Sequence, residues 1–366
     1  MRSVLFISSS ISFGGAAKML CFVAESLAER GHNVAIVNLK STQNVTDYER
    51  SLNDKVKLFT VPPLPKGKEK NLWRLRFIKG VAKEIKAEII VGFTMFPNLY
   101  ATLLGKALRI PSIISERADP TQTIGGSLKS RLAKWIVERS TGGVFQTEGA
   151  QAYYGRGLRR RGVVIPNPIF LDGDVPNVPF EEREKSVVSV GRLDNEQKRY
   201  DVMLKAFQLF RRSHPDYVLK LYGHGVDEDK IKEWSVELKL SDSVRFMGLT
   251  SQPMEEIAKD GIFLITSDYE GISNALLEAM AVGLPCVSTD HTPGGARLLI
   301  QNRENGLLAP VGDAEKLAAA LSEFADNPEL AEKCGENARD VVNRFEPNGI
   351  VDMWEEYIEK LYNKTA

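Results

Sequence analysis

Ser267-Asp268-Tyr269-Glu270-Gly271-Ile272-Ser273-Asn274-Ala275-Leu276-Leu277-Glu278-Ala279-Met280-Ala281-Val282-Gly283-Leu284-Pro285 joins the end of a strand to a helix through a tight turn. The apolar run at 262–266 before it reads as a buried strand. Gly271 permits the turn, and Ser273 or Asn274 can cap the helix that follows. Gly271, Ile272, Ser273, Asn274 and Ala275 then present backbone N–H groups at a strand's carboxyl end, a ready place for phosphate. Glu270 stands before the helix and Glu278 about one turn into it, so both can face one ligand. A carboxylate accepts two hydroxyl hydrogen bonds at once, which suits a ribose diol. The alternative for Glu278 is an exposed helix charge, but its neighbours are so apolar that an unpartnered Glu among them would be costly.

The same strand-to-helix grammar runs outward in both directions. In the first half, Val- and Ile-rich runs at 4–8, 34–39, 56–61, 89–93, 112–115, 143–146 and 163–165 alternate with helical patterns at 16–29, 72–85, 99–108 and 128–139. Prolines 166, 168, 176 and 179 then interrupt the rhythm with acidic residues between them. It restarts with strands at 186–190, 218–222, 244–247, 262–266, 286–288 and 307–309 and helices near 202–212, 229–238, 273–282 and 314–324. Strands apolar on both faces imply parallel sheets covered by helices. The expectation is an α/β chain of two doubly wound, Rossmann-like domains: 1–168, a linker at 169–184, and 185–345. The closing helical segment, 346–366, is expected to cross back to the first domain. Ligands of such sheets bind beyond the carboxyl ends of the strands, which makes the cleft between domains the expected site.

Composition agrees with this. At 366 residues the chain exceeds one ordinary core, and 43% hydrophobic with 26% charged residues is globular usage. No apolar run approaches the roughly 18–20 residues that span a bilayer. The apolar start at 1–7 is broken at once by Ser8, Ser9, Ser10 and Ser12, so it reads as a first strand and not a signal peptide. Cys21, Cys286 and Cys334 are scattered and odd in number, which suits a reducing compartment better than a disulfide framework or zinc site.

Two further loops carry chemistry. Ser12-Phe13-Gly14-Gly15-Ala16-Ala17 opens a helix directly after the first strand, letting backbone approach an anionic ligand at Gly14 and Gly15. It is not GxGxxG, and Lys40 stands where an acidic residue would close the second strand, so a dinucleotide site is disfavoured. Gly191-Arg192-Leu193-Asp194-Asn195-Glu196-Gln197-Lys198-Arg199 places Arg192 at a strand end and Lys198 at a helix start. Arg grips phosphate oxygens bidentately and Lys supplies a point charge, together enough to neutralise a diphosphate leaving group. No His/Cys/Asp cluster has metal-ligand spacing, so these cations are expected to stand in for a metal.

Taken in order, the Gly-Gly-Ala loop, Gly191-Arg192-Leu193 with Lys198, the Glu270 and Glu278 pair, and Glu304-Asn305-Gly306-Leu307-Leu308 resemble the retaining glycosyltransferases of family 4 over nearly the whole chain. The resemblance implies the GT-B arrangement, two Rossmann-like domains facing across a cleft. It implies a nucleotide diphosphate sugar, UDP-linked, as donor and substrate, with no cofactor and no metal. Arg192, Lys198 and the helix start at Ser273 would hold the diphosphate, Glu278 the ribose and Glu270 the donor sugar. Gly191 belongs to the same phosphate-side loop. The base would lie near Arg245-Phe246-Met247-Gly248, which marks Met247, and Gly15 would sit below the phosphates from the opposing domain. Many relatives carry a histidine where this chain reads Glu116-Arg117, so one of these two is expected at the acceptor or donor sugar. Front-face retaining transfer asks little of a general base, because the departing phosphate oxygen takes the acceptor proton. Thr292-Pro293-Gly294-Gly295-Ala296-Arg297 resembles a loop beside the donor sugar, with Arg297 reaching a ligand or capping its own turn.

The formal net charge is zero, yet residues 1–174 hold 26 Lys+Arg against 14 Asp+Glu and residues 175–366 hold 22 against 34. A basic first half suits an anionic partner. Its cations cluster at Lys66–Lys86, Lys129–Arg139 and Arg156–Arg161, the first two interleaved with Leu, Trp and Ile as in helices that lie on anionic membranes. With the resemblance, this implies a lipid-linked saccharide acceptor, a cytoplasmic enzyme peripheral on the inner face of the cell membrane, and no nucleic acid; the alternatives are a soluble acceptor and, for each cluster, a solvated helix face covering the sheet. The rival readings are a UDP-sugar epimerase of the same fold and a nucleotide-sugar- or glycan-binding module without turnover.

Overall fold

A computed structural model describes residues 1–11, 15–40, 52–63, 69–123, 125, 127–171 and 178–365. The chain forms two compact units, one of Met1–Pro168 with Pro347–Ala366, the other of Ile169–Glu346. Both are doubly wound α/β layers, as the alternating apolar runs require.

The first unit is built on seven parallel strands, β1 (Ser3–Ser8), β2 (Asn33–Asn38), β3 (Val56–Thr60), β4 (Ile89–Phe93), β5 (Ser112–Glu116), β6 (Gly142–Phe145) and β7 (Val163–Val164). Their order is β3-β2-β1-β4-β5-β6-β7. The inner strands β1 and β4 are buried along their full length, since helices cover both faces. One face packs against helix Gly15–Glu29 and the closing helix Pro347–Thr365, the other against helices Lys70–Glu84 and Met95–Leu108. The closing helix inserts Ile350, Trp354, Ile358 and Leu361 into this core, and Trp354 stacks on Phe93 with ring centroids 5.7 Å apart. Tyr357 accepts a hydrogen bond from the Gly143 N–H at 2.9 Å and donates to the Arg161 carbonyl at 2.5 Å. Arg2–Glu359 at 2.8 Å and Arg30–Glu355 at 2.6 Å tie its polar edge to β1 and the first helix turn-out.

The second unit carries β8 (Ser186–Val190), β9 (Val218–Tyr222), β10 (Val244–Gly248), β11 (Ile262–Ile265), β12 (Cys286–Thr289) and β13 (Leu307–Ala309) in the order β10-β9-β8-β11-β12-β13, again all parallel. Helices Tyr200–Phe210 and Ala314–Asp326 cover one face, and the apolar helix Asn274–Ala281 covers the other. Of the segment 169–184, Ile169 lies in this unit's core and the Arg183 guanidinium donates to the carbonyls of Ala258, Val282 and Gly283 at 2.7, 3.0 and 3.1 Å. Those described residues are therefore anchored parts of the second unit. Among the described residues no helix is long and apolar enough to cross a membrane.

Candidate functional site

β8 and β11 lie side by side, so the loops at their carboxyl ends meet. After β8 the chain turns at Gly191 and enters the short helix Asn195–Lys198, whose cap Asp194 accepts from the Glu196 N–H. Arg199 then takes a left-handed conformation (φ 54°) that separates this turn from helix Tyr200–Phe210. A non-glycine residue held there needs a reason. The Arg199 guanidinium supplies one: it grips both oxygens of Asp268 at 3.0 and 2.9 Å and reaches Asp201 at 2.9 and 3.0 Å. Thr266, just past β11, donates its hydroxyl to the Lys198 carbonyl at 2.8 Å. The backbone of Lys198 is thus pinned to the end of β11.

Its side chain is pinned as well. Lys198 Nζ lies 2.5 Å from Glu270 Oε1, and Ser267 Oγ donates to the same oxygen at 2.5 Å. Both partners are largely buried, their side chains 17% and 8% exposed. Burial alone would raise the Glu270 pKa, but Lys198, His291 and Ser267 together outweigh it and hold the carboxyl down at about 2. The His291 share requires a protonated imidazole, and burial lowers the His291 pKa, so at neutral pH the pairing rests on Lys198 and Ser267. From Glu270 the chain passes through Gly271 and buried Ile272 to Ser273, whose hydroxyl caps helix Asn274–Ala281 by accepting from the Leu276 N–H. Asn274, Ala275 and Glu278 are half-buried on this helix.

A second strand pair closes the site from the other side. Glu270 N–H donates to the Thr292 carbonyl at 2.8 Å, which fixes the loop after β12 against the loop after β11. Glycine is required at 295: a Cβ there would stand 1.7 Å from the Gly271 carbonyl oxygen. His291, buried between these loops, leaves its Nε2 without a hydrogen-bond partner among the described residues. Arg297 is tied to Asp290 at 2.8 and 2.6 Å and so braces its own loop. Beyond β8, β9 and β10, Gly191, Arg192, Tyr222, Gly223, Leu249 and Thr250 line a cavity of about 160 Å³. Arg192 stands exposed at its mouth, 3.1 Å from the Gln197 side-chain oxygen. Among the described residues no three His, Cys, Asp or Glu side chains converge as metal ligands.

Comparison with known proteins shows what the chain is similar to. Residues 13–172 match the model described as Glycosyltransferase Family 4, and residues 174–341 match Glycosyl transferases group 1. A Haemophilus influenzae protein named only as a glycosyltransferase is 25% identical, covering 95% of this chain and 97% of its own. A Campylobacter jejuni N-acetylgalactosaminyltransferase, named for a diphospho-undecaprenol-linked acceptor, is 30% identical over 45% of this chain and 44% of its own. Among solved structures, Anabaena HepE in complex with UDP and glucose superposes with a TM-score of 0.82 at 19% identity, covering 98% of this chain and all of the other. The chain belongs to the family 4 glycosyltransferases.

In this glycosyltransferase the residues singled out from sequence fall into two groups. Lys198, Glu270, Gly191, Arg192 and Gly271–Glu278 meet at one end of the second sheet, while Met247 stands 42% exposed on β10. Gly15, Glu116 and Arg117 belong to the first unit. Gly15 is the exposed first residue of its helix; Gly14, like Lys66 and Lys68, lies outside the described residues. Glu116 ends β5, fully buried, and accepts from the Tyr154 hydroxyl at 2.8 Å. Burial raises its carboxyl to about 7, against the opposing pull of Tyr154, two backbone N–H groups and Arg117. Arg117 is equally engaged inward, donating from Nε to Ser115 Oγ at 2.8 Å, with its guanidinium carbon 5.3 Å from the rings of both Phe93 and Trp354. Sequence reasoning missed His291 and the Gly271–Gly295 contact. The available signal was position: 290–295 follows β12 as 267–271 follows β11.

Glu270 also makes a pH prediction. A carboxyl held at about 2 when folded, against an ordinary 4.5, contributes stability that is fully present above 4.5 and lost as pH falls toward about 2. The stability gap between the wild type and Glu270→Gln should therefore narrow as pH drops below 4.5. Urea unfolding of both proteins across that range measures it, and a gap that does not change with pH would refute the ionised pair.

Proposed function

We propose that this glycosyltransferase moves a hexose or N-acetylhexosamine from a UDP-sugar to a lipid-linked glycan, retaining the anomeric configuration and using no metal. The observation that carries the reading is the buried Lys198–Glu270 pair at the strand ends, one turn before a capped apolar helix. Lys198 and Arg192 neutralise the diphosphate, and the first-turn N–H groups of Asn274 and Ala275 add partial positive charge. Glu270, kept ionised, accepts hydroxyl hydrogen bonds from the donor sugar, and Glu278 does the same for the ribose. The base lies towards Met247. In the step itself, the bond between anomeric carbon and phosphate oxygen breaks. The acceptor oxygen bonds to that carbon on the vacated face, and its proton passes to the departing phosphate oxygen. HepE's complex with UDP and glucose supports the donor class, and the Campylobacter relative's named acceptor supports a lipid carrier. A lipid-linked acceptor and the basic first half favour an enzyme that rests on the inner face of the cell membrane.

UDP release tests the reading. Release should depend on a saccharide acceptor and persist in EDTA, with retained configuration in the product. Release without acceptor would instead indicate an epimerase or hydrolase, and full loss in EDTA restored by magnesium or manganese would refute metal independence. Binding of UDP-sugar with no turnover across an acceptor panel would leave a binding module.

A further inference from the structure

The two basic helices that look alike in sequence are not alike in the folded protein. Helix Lys70–Glu84 buries Ile78, Val81 and Ala82 and leans Trp73, Leu75 and Phe77 on the same core, so its apolar face is largely used. Helix Leu128–Val137 buries only Val137 and leaves Leu128, Leu132 and Trp135 81%, 56% and 53% exposed. Their spacing puts these three on one stripe of the helix. Exposed apolar stripes rimmed by charge mark contact surfaces. Lys129, Arg131 and Arg139 stand exposed around this one, and the Arg139 guanidinium lies 3.2 Å from the centroid of the Trp135 ring.

At the helix's carboxyl end opens a concavity of about 610 Å³ lined by Arg139, Arg156 and Arg161. Its one carboxylate, Glu138, is occupied: it accepts from the Gly155 N–H at 2.8 Å and pairs with Lys134 at 3.9 Å. Lys134 is in turn committed to the Tyr153 carbonyl at 2.9 Å, so it holds the fold together and is not a free surface cation.

We propose that this helix and the arginine-lined concavity beside it form the contact with an anionic phospholipid bilayer. Leu128, Leu132 and Trp135 enter the interface, where an indole is at home. Arg139 and Arg156 take headgroup phosphates, which the guanidinium fork matches in shape and charge. Charge complementarity selects this occupant: a second copy docked by the same patch would set cations against cations. The proposal rests on the membrane reading above and names where it acts.

The test is sedimentation of the full-length protein with mixed phosphatidylglycerol–phosphatidylcholine vesicles, against pure phosphatidylcholine. Wild type should bind the anionic vesicles, and brominated lipid should quench fluorescence that Trp135→Phe removes. Leu132→Ser with Trp135→Ser should abolish binding, and both sites are exposed enough to leave folding intact, with Leu132→Ser alone as a milder check. Arg139→Ala with Arg156→Ala should weaken binding roughly thirtyfold. Lys79→Glu with Lys83→Glu should lose only screened long-range attraction. If the wild type binds but the Leu132, Trp135 variant binds as well, or the Lys79, Lys83 variant alone fails, this surface is wrong while the membrane reading stands. If the wild type ignores anionic vesicles at low salt, both fall. A dimer in sedimentation velocity that the Leu132, Trp135 variant dissolves would assign the stripe to a second copy and overturn the proposal.

Discussion

Lys198→Ala is expected to reduce glycosyl transfer by about a hundredfold to a thousandfold, the loss seen when one stabilising donor is removed from a developing negative charge. The structure adds a second consequence. Lys198 is the main cation that holds Glu270 down at about 2, and Glu270 is largely buried. Removing one partner of such a pair strands the other, at a cost of about 3–5 kcal/mol of stability. Low activity in the single variant is therefore ambiguous by itself. Lys198→Ala combined with Glu270→Gln removes the stranded charge and should recover much of the stability while transfer stays low. Thermal unfolding and steady-state transfer measured on all three variants separate the effects. Near-normal transfer by folded Lys198→Ala would end the assignment of Lys198 to the leaving group.

Gly295→Ala is expected to be among the most damaging single-methyl substitutions in the second unit. The added carbon would stand 1.7 Å from the Gly271 carbonyl oxygen, and the obstacle is backbone, so no side-chain rotation relieves it. Overpacking of this kind costs about 3 kcal/mol, and the loop that must yield is the one carrying Glu270. The melting temperature should fall by about 6–12 °C for a unit of this size. Gly80→Ala is the control: it lies in helix Lys70–Glu84 with nothing within 4 Å of its Cβ position. There the same methyl should stabilise by about 0.5–1 kcal/mol. Calorimetry on both variants checks the contrast, and a Gly295→Ala protein as stable as wild type would mean that the two loops do not touch as described.

Much of this architecture was legible before any coordinates. All the apolar runs read as strands, from 4–8 to 307–309, are strands of the two parallel sheets. The reason is physical: a strand buried on both faces must be apolar throughout and short, and the amphipathic helices that cover it carry a different period. Glu270, Lys198, Gly191 and the 271–278 turn were legible for a related reason, since each sits immediately after a strand or at a helix start and such positions are marked by glycine and capping residues.

Distances between loops are another matter. That Lys198 closes on Glu270, that His291 is buried beside them, and that Gly295 touches Gly271 follow from β8, β11 and β12 being neighbours, although long stretches of chain separate them. Nor does local pattern say which way a charged residue faces. Glu116 and Arg117 stand out in sequence by position, but that the fold buries them against Tyr154, Ser115, Phe93 and Trp354 is not written beside them. Trp354 arrives on the closing helix, and its place beside Phe93 is a tertiary event. The two basic helices share a composition, but only the sheet decides that one spends its apolar face on the core and the other leaves Leu132 and Trp135 in water. Periodicity and chemistry are written locally along the chain; burial and partnership are set by what the fold brings against each side chain.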